Sequence, residues 1–194
     1  MILHEINFNE ELTLSKVCDT IRAEIEKEPD FLPRSSEPEV GPFLFQFIQL
    51  IQAKTVLEIG TFKGYTTCKL IESGVKVTSV DIKDQRHSLV KELQKFVKNF
   101  EFFEQDSLDY LRKCRDSLRR FDLIYIDGDH DLDHVKKELL LLSNVVPSTG
   151  IMVFHDATSA NCPGVIQALM EYREQYRTDF VVLPTSRGCG LAIL

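Results

Sequence analysis

The chain has 194 residues, 43% of them hydrophobic and 27% charged, which is the size and composition of one globular domain with a buried core and a ligand cleft. Its 30 acidic residues outnumber 23 basic ones and give a formal charge of -7, which disfavours a nucleic-acid partner and predicts no attraction to anionic lipid. The five cysteines are scattered without disulfide or zinc spacing, and no signal-peptide pattern or apolar run long enough for a membrane span is present. These features predict a single-domain cytoplasmic protein without a membrane partner.

The first third of the chain has the periodicity of helices. Apolar residues recur at helical spacing over residues 10–28 and again over 38–53, while the proline-containing stretch 29–36 between them is typical of a loop. Residues 1–53 are therefore predicted to form a helical cap on a core made by residues 54–194.

From residue 54 onward, short runs rich in β-branched residues alternate with amphipathic stretches, the pattern of a parallel sheet with helices on both faces. The predicted strands are 54–59, 76–81, 100–104, 121–127 and 149–155, and the predicted helices are 64–73, 84–98, 107–118, 132–145 and 163–177. Two further strands, 179–183 and 189–194, are joined by a connection too short for a crossover helix, so they must be antiparallel. The fold class predicted is an α/β, Rossmann-like doubly wound sheet of seven strands.

A glycine-containing loop follows the first strand, where ligands bind in open parallel sheets. Gly60 permits a tight turn and Gly64 lets the next helix start close to the sheet, but their spacing matches neither the dinucleotide nor the phosphate-loop motif. Glu58, predicted to end the strand at the mouth of the loop, would repel a diphosphate and suit a ligand that carries an ammonium and a sulfonium. S-adenosylmethionine is such a ligand. The residues of this loop predicted to bind it are Glu58, Gly60, Thr61, Phe62, Gly64 and Tyr65.

Acidic residues also follow the next two strands. Asp81 is placed to accept hydrogen bonds from ribose hydroxyls, with Ile82 beside it, and Asp106 with Ser107 could line the adenine end. An aspartate at one strand end is more often a turn or helix-cap residue. Three acidic groups at successive strand ends favour a nucleoside ligand.

Residues 41–65 resemble the opening of class I S-adenosylmethionine-dependent O-methyltransferases of the catechol and caffeoyl-CoA type. The run from Phe121 to His130 (FDLIYIDGDH) and the later Gly150–Asp156 (GIMVFHD) are closer to the small group of macrocin and mycinamicin sugar O-methyltransferases. The similarity covers roughly residues 40–194. It implies a seven-stranded sheet with an antiparallel last strand, and methyl transfer to a small-molecule acceptor such as a sugar or a phenol.

The segment 127–134 (DGDHDLDH) combines structural and functional candidates. Asp131 is a natural N-cap and Asp133 favours the positive end of the helix dipole, while His134 is expected to face solvent. The strand end and its glycine hold Asp127 and His130 over the cleft where the donor's sulfonium should lie, so Asp127 is also a candidate donor contact.

The fifth predicted strand brings His155 and Asp156 to the same rim. Asp127, His155 and Asp156 are therefore predicted ligands of a divalent metal such as Mg²⁺ or Mn²⁺, which would hold the acceptor oxygen and lower its pKa. The alternative for Asp127 and Asp156 is an uncharged-substrate pocket or an internal hydrogen-bond network. In the sugar O-methyltransferases that the sequence resembles, a histidine three residues after the metal-binding aspartate is the base, and the resemblance gives this role to His130. The predicted catalytic residues are His130 and Asp127.

The sequence departs from these relatives after the fifth strand. Catechol-type enzymes have Asp-Asn there and the sugar-modifying ones two adjacent acids, whereas this chain has His155-Asp156-Ala157. Mn²⁺ then becomes more plausible than Mg²⁺. The alternative of metal-independent catalysis, with His130 or His155 acting alone as base, stays open.

Two other functions remain open at this stage: an NAD-dependent oxidoreductase on a related sheet, and a non-catalytic S-adenosylmethionine-binding module. The first is favoured by Asp81 and disfavoured by the absence of the dinucleotide motif. The acceptor's identity is not encoded in any motif. Oligomers are frequent in the resembled family, which favours a homodimer.

Overall fold

The computed structural model describes residues 13–29, 31, 36–117 and 119–194. His4, the predicted start of the first helix at residue 10 and most of the predicted loop 29–36 lie outside these residues. One sheet contains the strands β1 (Thr55–Ile59), β2 (Lys76–Asp81), β3 (Phe100–Glu104), β4 (Leu123–Ile126), β5 (Ile151–Phe154), β6 (Val181–Leu183) and β7 (Leu191–Ile193). The helices are α1 (Leu14–Ile25), α2 (Val40–Leu50), α3 (Tyr65–Glu72), α4 (Ser88–Phe96), α5 (Ser107–Asp116), α6 (Leu132–Leu142) and α7 (Pro163–Tyr176).

The strand order is β3-β2-β1-β4-β5-β7-β6. Strands β1 to β5 are parallel, and β7 inserts antiparallel between β5 and β6. The predicted seven-stranded sheet with an antiparallel last strand is therefore confirmed, as are the two helices that precede it. In the described part of the chain, every helix is too short or too polar to cross a bilayer.

Two apolar layers hold the helices on opposite faces of the sheet, because neighbouring strand residues point to opposite faces. Val56 packs with α1 to α4 on one face, and Leu57 packs with α5 to α7 on the other. Helix α1 fits this arrangement because Val17, Ile21 and Ile25 recur every fourth residue on its buried side. Both faces of the central strands are buried, which explains their nearly continuous apolar sequence.

Several elements are shorter than predicted, and local side-chain contacts explain the largest difference. Helix α4 begins at Ser88, not at residue 84, because the Asp84 carboxylate accepts hydrogen bonds from the backbone N–H and the guanidinium of Arg86. Such local bonds compete with helix formation. His87 then caps the helix by accepting from the N–H of Leu89.

The switch in strand order between β1 and β4 creates the crevice in which open α/β sheets bind ligands. Gly60 crosses the end of β4 there with φ of 88°, and a Cβ at this position would overlap the carbonyl of Asp127. A side chain at residue 60 would therefore push apart the two strand ends that carry the predicted site.

We predict that Gly60→Ala destabilises the fold by several kcal/mol more than Gly74→Ala. Both glycines have positive φ, but no described atom lies within 4 Å of a Cβ built at Gly74. The control variant Gly74→Ala should therefore be less stable by only the ~1–2 kcal/mol that the left-handed backbone conformation costs a residue with a Cβ. Denaturant unfolding measures the free energy of unfolding of both variants. Equal losses of this free energy would show that the contact between residue 60 and the end of β4 tolerates a methyl group.

Candidate active site

The candidate site is built by backbone hydrogen bonds that continue past the ends of the strands. The N–H of Asp127 donates to the carbonyl of Ile59, and the N–H of His155 donates to that of Ile126. The chain then turns sharply, because Asp156 has a φ of 59°, a conformation that aspartate tolerates better than most residues. Asp127, His155 and Asp156 consequently project into one space above the sheet.

A cavity of about 600 Å³ opens at this edge, within the size range of small-molecule sites. Its lining includes most of the predicted strand-end residues. Those predicted to contact donor, metal or acceptor that line it are Gly60, Phe62, Asp81, Ile82, Asp106, Ser107, Asp127, His130, His155 and Asp156. The structure therefore brings together residues that are separated by almost one hundred positions in the sequence.

Asp81 supports the glycine loop from below. Its Oδ2 accepts hydrogen bonds from the N–H groups of Thr61 and Phe62, at 2.9 and 2.8 Å. Phe62 has a φ of 46°, so the loop is held in a conformation that few side chains adopt. A carboxylate can accept more than two hydrogen bonds. Asp81 therefore has acceptor sites left for the predicted hydrogen bonds from ribose hydroxyls.

The predicted position of Glu58 at the mouth of the loop is wrong. Strand β1 continues to Ile59, and the Glu58 side chain is 1% exposed on the sheet face that α3 covers. The hydroxyls of Thr67 and Ser79 donate to its Oε2. Burial raises the pKa of this carboxyl to about 8, against the opposing effect of those hydrogen bonds. Glu58 therefore lies in the core, bonded to α3 and β2, and is not part of the cavity lining.

Three more residues predicted to bind the donor are not part of the cavity lining. The Thr61 hydroxyl contacts that of Ser79, and the Tyr65 hydroxyl donates to Glu26 of the segment after α1. Gly64 precedes α3 in a left-handed conformation, where it packs against Val90. Their predicted contribution to donor binding can act only through the loop's shape and its backbone.

His155 lies at the centre of the acidic and histidine cluster, with a side chain that is 3% exposed. Its Nε2 is 2.6 Å from Oε2 of Glu37, and its Nδ1 is 3.2 Å from both Oδ1 of Asp127 and Oδ2 of Asp156. Burial disfavours the charged ring, but the charge of Asp127 and the contacts with both aspartates outweigh this and raise its pKa well above the ordinary value.

His130 lies closer to solvent than His155. Its Nε2 is 3.9 Å from Oδ1 of Asp127 and 3.0 Å from Oδ2 of Asp156. These are ion-pair distances, because among the described residues the buried Nε2 has no hydrogen-bond partner of good geometry. Interactions with Asp127 and Asp156 raise the pKa of His130 to about 10. Asp127, the other predicted catalytic residue, is the more distant of the two aspartates.

Asp127 is held by polar groups on its other side. Its Oδ2 accepts hydrogen bonds from the hydroxyls of Ser36 and Tyr125, at 2.6 and 3.0 Å. Burial opposes its charge, but the nearby His155 and these bonds lower the pKa of Asp127 far below its usual range. The carboxylate is therefore ionised and fixed in orientation.

Sequence reasoning missed four contributors to this cluster. Tyr125 could have been found, because it lies two residues before Asp127 and so on the same strand face. Ser36, Glu37 and Thr185 could not, since they come from loops far away in the chain. The Thr185 hydroxyl donates to Oε1 of Glu37 at 2.6 Å, and Glu37 is fully buried.

The segment after β4 is arranged largely as predicted. Asp131 caps α6 by accepting from the N–H groups of Asp133 and His134, which confirms its structural role. The expectation that His134 faces solvent is wrong. Its ring lies on the cavity wall, 3.0 Å from the Ser107 hydroxyl and 3.2 Å from Oε1 of Glu138, because the first turn of α6 packs beside α5.

A family model described as a methyltransferase domain matches residues 57–157, just over half of the chain. The chain belongs to this methyltransferase family. The matched residues run from β1 to the turn after β5, and so include both the glycine loop and the acidic and histidine cluster.

Curated relatives of this methyltransferase include plant enzymes. Caffeoyl-CoA O-methyltransferase 1 of Nicotiana tabacum is 29% identical over 170 residues, which cover 80% of this chain and 68% of the relative. Caffeoyl-CoA O-methyltransferase 2 of Populus trichocarpa is 30% identical over 161 residues, which cover 76% and 63%. The chain thus spans about two thirds of the length of these relatives. The predicted class I O-methyltransferase resemblance is confirmed, while its sugar-modifying subgroup remains a prediction.

Solved structures share the fold. An O-methyltransferase of Bacillus cereus, solved in complex with SAH, has a TM-score of 0.68 at 19% identity, covering 98% of this chain and 93% of its own. The O-methyltransferase TomG of Streptomyces achromogenes, involved in tomaymycin synthesis and solved with SAM, has a TM-score of 0.67 at 20% identity, covering 95% and 89%. At these identities the similarity confirms the predicted Rossmann-like architecture.

The metal predicted for this methyltransferase can be tested against the donor set. Asp127, His155 and Asp156 offer ligand atoms within 4.8 Å of one another, so the predicted set is assembled. However, each nitrogen of His155 already faces a carboxylate oxygen at hydrogen-bond distance. A metal ligand must be a deprotonated nitrogen with a free lone pair. As arranged, this donor set does not fit a divalent ion.

We predict that Glu58→Gln becomes increasingly stabilising relative to the wild type as pH rises. The pKa of Glu58 is raised from 4.5 to about 8, so this group favours the folded state most at low pH. That contribution is lost between pH 4.5 and 8, by up to ~1.4 kcal/mol per pH unit. Glutamine does not titrate and can still accept from Thr67 and Ser79.

Denaturant unfolding at pH 5.5 and 8.5 measures this effect. Glu174→Gln, an exposed residue of α7, controls for the loss of one carboxyl group. If the difference in free energy of unfolding between the wild type and Glu58→Gln does not change with pH, the raised pKa of Glu58 is contradicted.

Proposed function

We propose that this methyltransferase transfers the methyl group of S-adenosylmethionine to a hydroxyl group of a small acceptor, and that His130 is the base that receives the hydroxyl proton. The observation that carries the proposal is the cavity at the β1–β4 switch point, which His130 lines with its Nε2 3.0 Å from Oδ2 of Asp156. The family match and the O-methyltransferase relatives support the same reaction.

The charge of the cavity suits this donor. Its wall carries the carboxylates Asp81, Asp106, Asp127, Asp129 and Asp156. S-adenosylmethionine carries a sulfonium and an ammonium against one carboxylate, so a lining rich in carboxylates attracts it. The dinucleotide of the competing oxidoreductase hypothesis carries a diphosphate, which the same lining would repel.

The chain's own residues account for binding of each part of the donor. Gly60 and Phe62 present loop backbone to the ligand, and Asp81 has acceptor capacity left for the ribose. Asp106 and Ser107 lie at the predicted adenine end. Asp127, fixed by Ser36 and Tyr125, places negative charge at the β4 end. Bound S-adenosylmethionine supplies an electrophilic methyl group, and the protein supplies position and proton transfer.

His130 fits the role of base by location better than His155 does. Its side chain is 35% exposed, whereas the His155 side chain is 3% exposed and has both nitrogens engaged. Its pKa of about 10 means that the free enzyme holds the ring mainly in the protonated form at neutral pH. The positive charge of a bound donor lowers that pKa toward the working range.

The pH dependence of methyl transfer tests this role. Because a base must be deprotonated to act, kcat/KM should rise with pH toward the pKa of His130, about 10, and level off above it. We predict that His130→Gln removes this rise and lowers kcat by ~10²- to 10⁴-fold. Transfer from a radiolabelled donor to catechols and hydroxylated sugars provides the assay.

His87→Gln is the matched control, since His87 caps α4 and lies outside the cavity lining. It should retain the wild-type profile. An unchanged pH profile in His130→Gln would assign the proton transfer to another group.

Binding of the donor is tested by calorimetry with S-adenosylhomocysteine and NADH. The proposal requires that S-adenosylhomocysteine binds at one site per chain and that NADH binds much more weakly. Tighter binding of NADH would favour the oxidoreductase. Binding of S-adenosylhomocysteine without turnover of any catechol or sugar would favour the non-catalytic module, which the unusual His155-Asp156 sequence left open.

The acceptor class, a homodimeric state and a cytoplasmic location remain predictions of this proposal. A catechol, a related phenol or a sugar hydroxyl is consistent with the resemblance. The segment from Ala157 to α7 is short, which favours an open cleft or one completed by a partner subunit.

A further inference from the structure

The His155 ring is enclosed by three carboxylates from different parts of the chain. Glu37 precedes α2 and faces Nε2, while Asp127 and Asp156 both face Nδ1. Glu37 is fully buried and the His155 side chain nearly so. A buried carboxylate is costly unless a partner neutralises it, so this enclosure must hold positive charge.

The hydrogen-bond geometry places that charge on the ring. An ionised carboxylate only accepts hydrogen bonds, and a neutral imidazole has only one N–H. Oε1 of Glu37 accepts hydrogen bonds from the Thr185 hydroxyl at 2.6 Å and from the N–H of Cys189 at 3.4 Å, and its Oε2 lies 2.6 Å from Nε2 of His155. These are the contacts of an ionised carboxylate. The nitrogens of His155 thus face acceptors on both sides, and both must carry protons.

The resulting cation lies beside the two aspartates of the predicted metal site. The catechol-type enzymes that the sequence resembles have Asp-Asn after the fifth strand, where this chain has His155-Asp156. Nδ1 of His155 makes a hydrogen bond with Oδ2 of Asp156 at 3.2 Å and lies 3.2 Å from Oδ1 of Asp127 in an ion pair. A divalent ion bridging these two oxygens would meet the N–H proton of a charged ring.

We propose that His155 is a built-in cation that takes the place of a divalent metal, with Glu37 as its buried counter-ion, and that this methyltransferase works without a metal. The inference rests on the proposed function. His155 is a positioning residue in this account, because it holds Asp127 and Asp156 in fixed orientation and neutralises part of their charge. Asp156 in turn faces His130 at 3.0 Å, which links the cation to the base.

Metal binding by the wild-type chain gives the direct test and needs no turnover. We predict that titration with Mn²⁺, followed by the loss of free Mn²⁺ signal in electron paramagnetic resonance, shows no stoichiometric site at millimolar concentration. Where turnover is detected, we expect it to be unchanged by EDTA and by added Mg²⁺. A single Mn²⁺ site lost in Asp156→Asn, or activity abolished by EDTA and restored by metal, would overturn the proposal.

A double variant tests whether His155 is what excludes the metal. Glu37→Gln/His155→Asp removes the cation together with its counter-ion and supplies a third carboxylate beside Asp127 and Asp156. It should bind Mn²⁺ about 10- to 100-fold more tightly than the wild type, and any methyl transfer that it retains should rise when Mn²⁺ is added. Glu37→Gln/His155→Asn, with the same shape and no added charge, is the matched control and should remain without a site.

The outcomes separate this inference from the proposed function. If the wild type fails to bind S-adenosylhomocysteine, the proposed function fails, while the Mn²⁺ titrations still decide whether His155 replaces a metal. If the aspartate variant folds, as judged by its unfolding transition, and binds Mn²⁺ no better than the asparagine control, His155 is not what excludes the metal and the inference fails.

Discussion

The buried contact between one imidazole ring and three carboxylates sets the constraint on which the rest of the site depends. Desolvating Glu37, Asp127 and Asp156 together is unfavourable without positive charge among them, and His155 supplies it. The same contact joins the segment before α2 to the ends of β4 and β5. Folding of the N-terminal helices and assembly of the active site are therefore coupled by electrostatics as well as by apolar packing.

In this cavity the glycine loop determines the shape, and the acidic cluster determines the charge. Gly60 lets the loop cross the end of β4 directly over Asp127, and Asp81 fixes the loop by accepting two backbone N–H groups. Glu58 was expected to face the ligand but lies in the core. Burial raises its pKa to about 8 and so keeps its carboxyl group mainly neutral at pH 7. Negative charge at the ligand comes instead from the residues at the ends of β2 to β5.

His130 and His155 show how two histidines acquire different roles from their surroundings. Both have raised pKa values because they lie beside aspartates. His155 is enclosed and has partners on both nitrogens, so it can hold charge but cannot approach an acceptor. His130 lies nearer solvent and shares only Asp156 at close distance, which leaves it able to exchange a proton within the cavity.

The sequence by itself determined the alternation of strands and helices, the antiparallel last strand and the strand-end positions of Asp81, Asp127 and Asp156. Those features follow from local periodicity, connection length and the rule that parallel strands end at one edge. Only the tertiary structure decided that Glu58 faces the core, since a shift of one residue at the end of β1 changes which side chain meets the ligand. It also decided that Glu37 and Thr185 join His155. Long-range partners of this kind leave no pattern in the chain, because they depend on how distant loops pack around a buried charge.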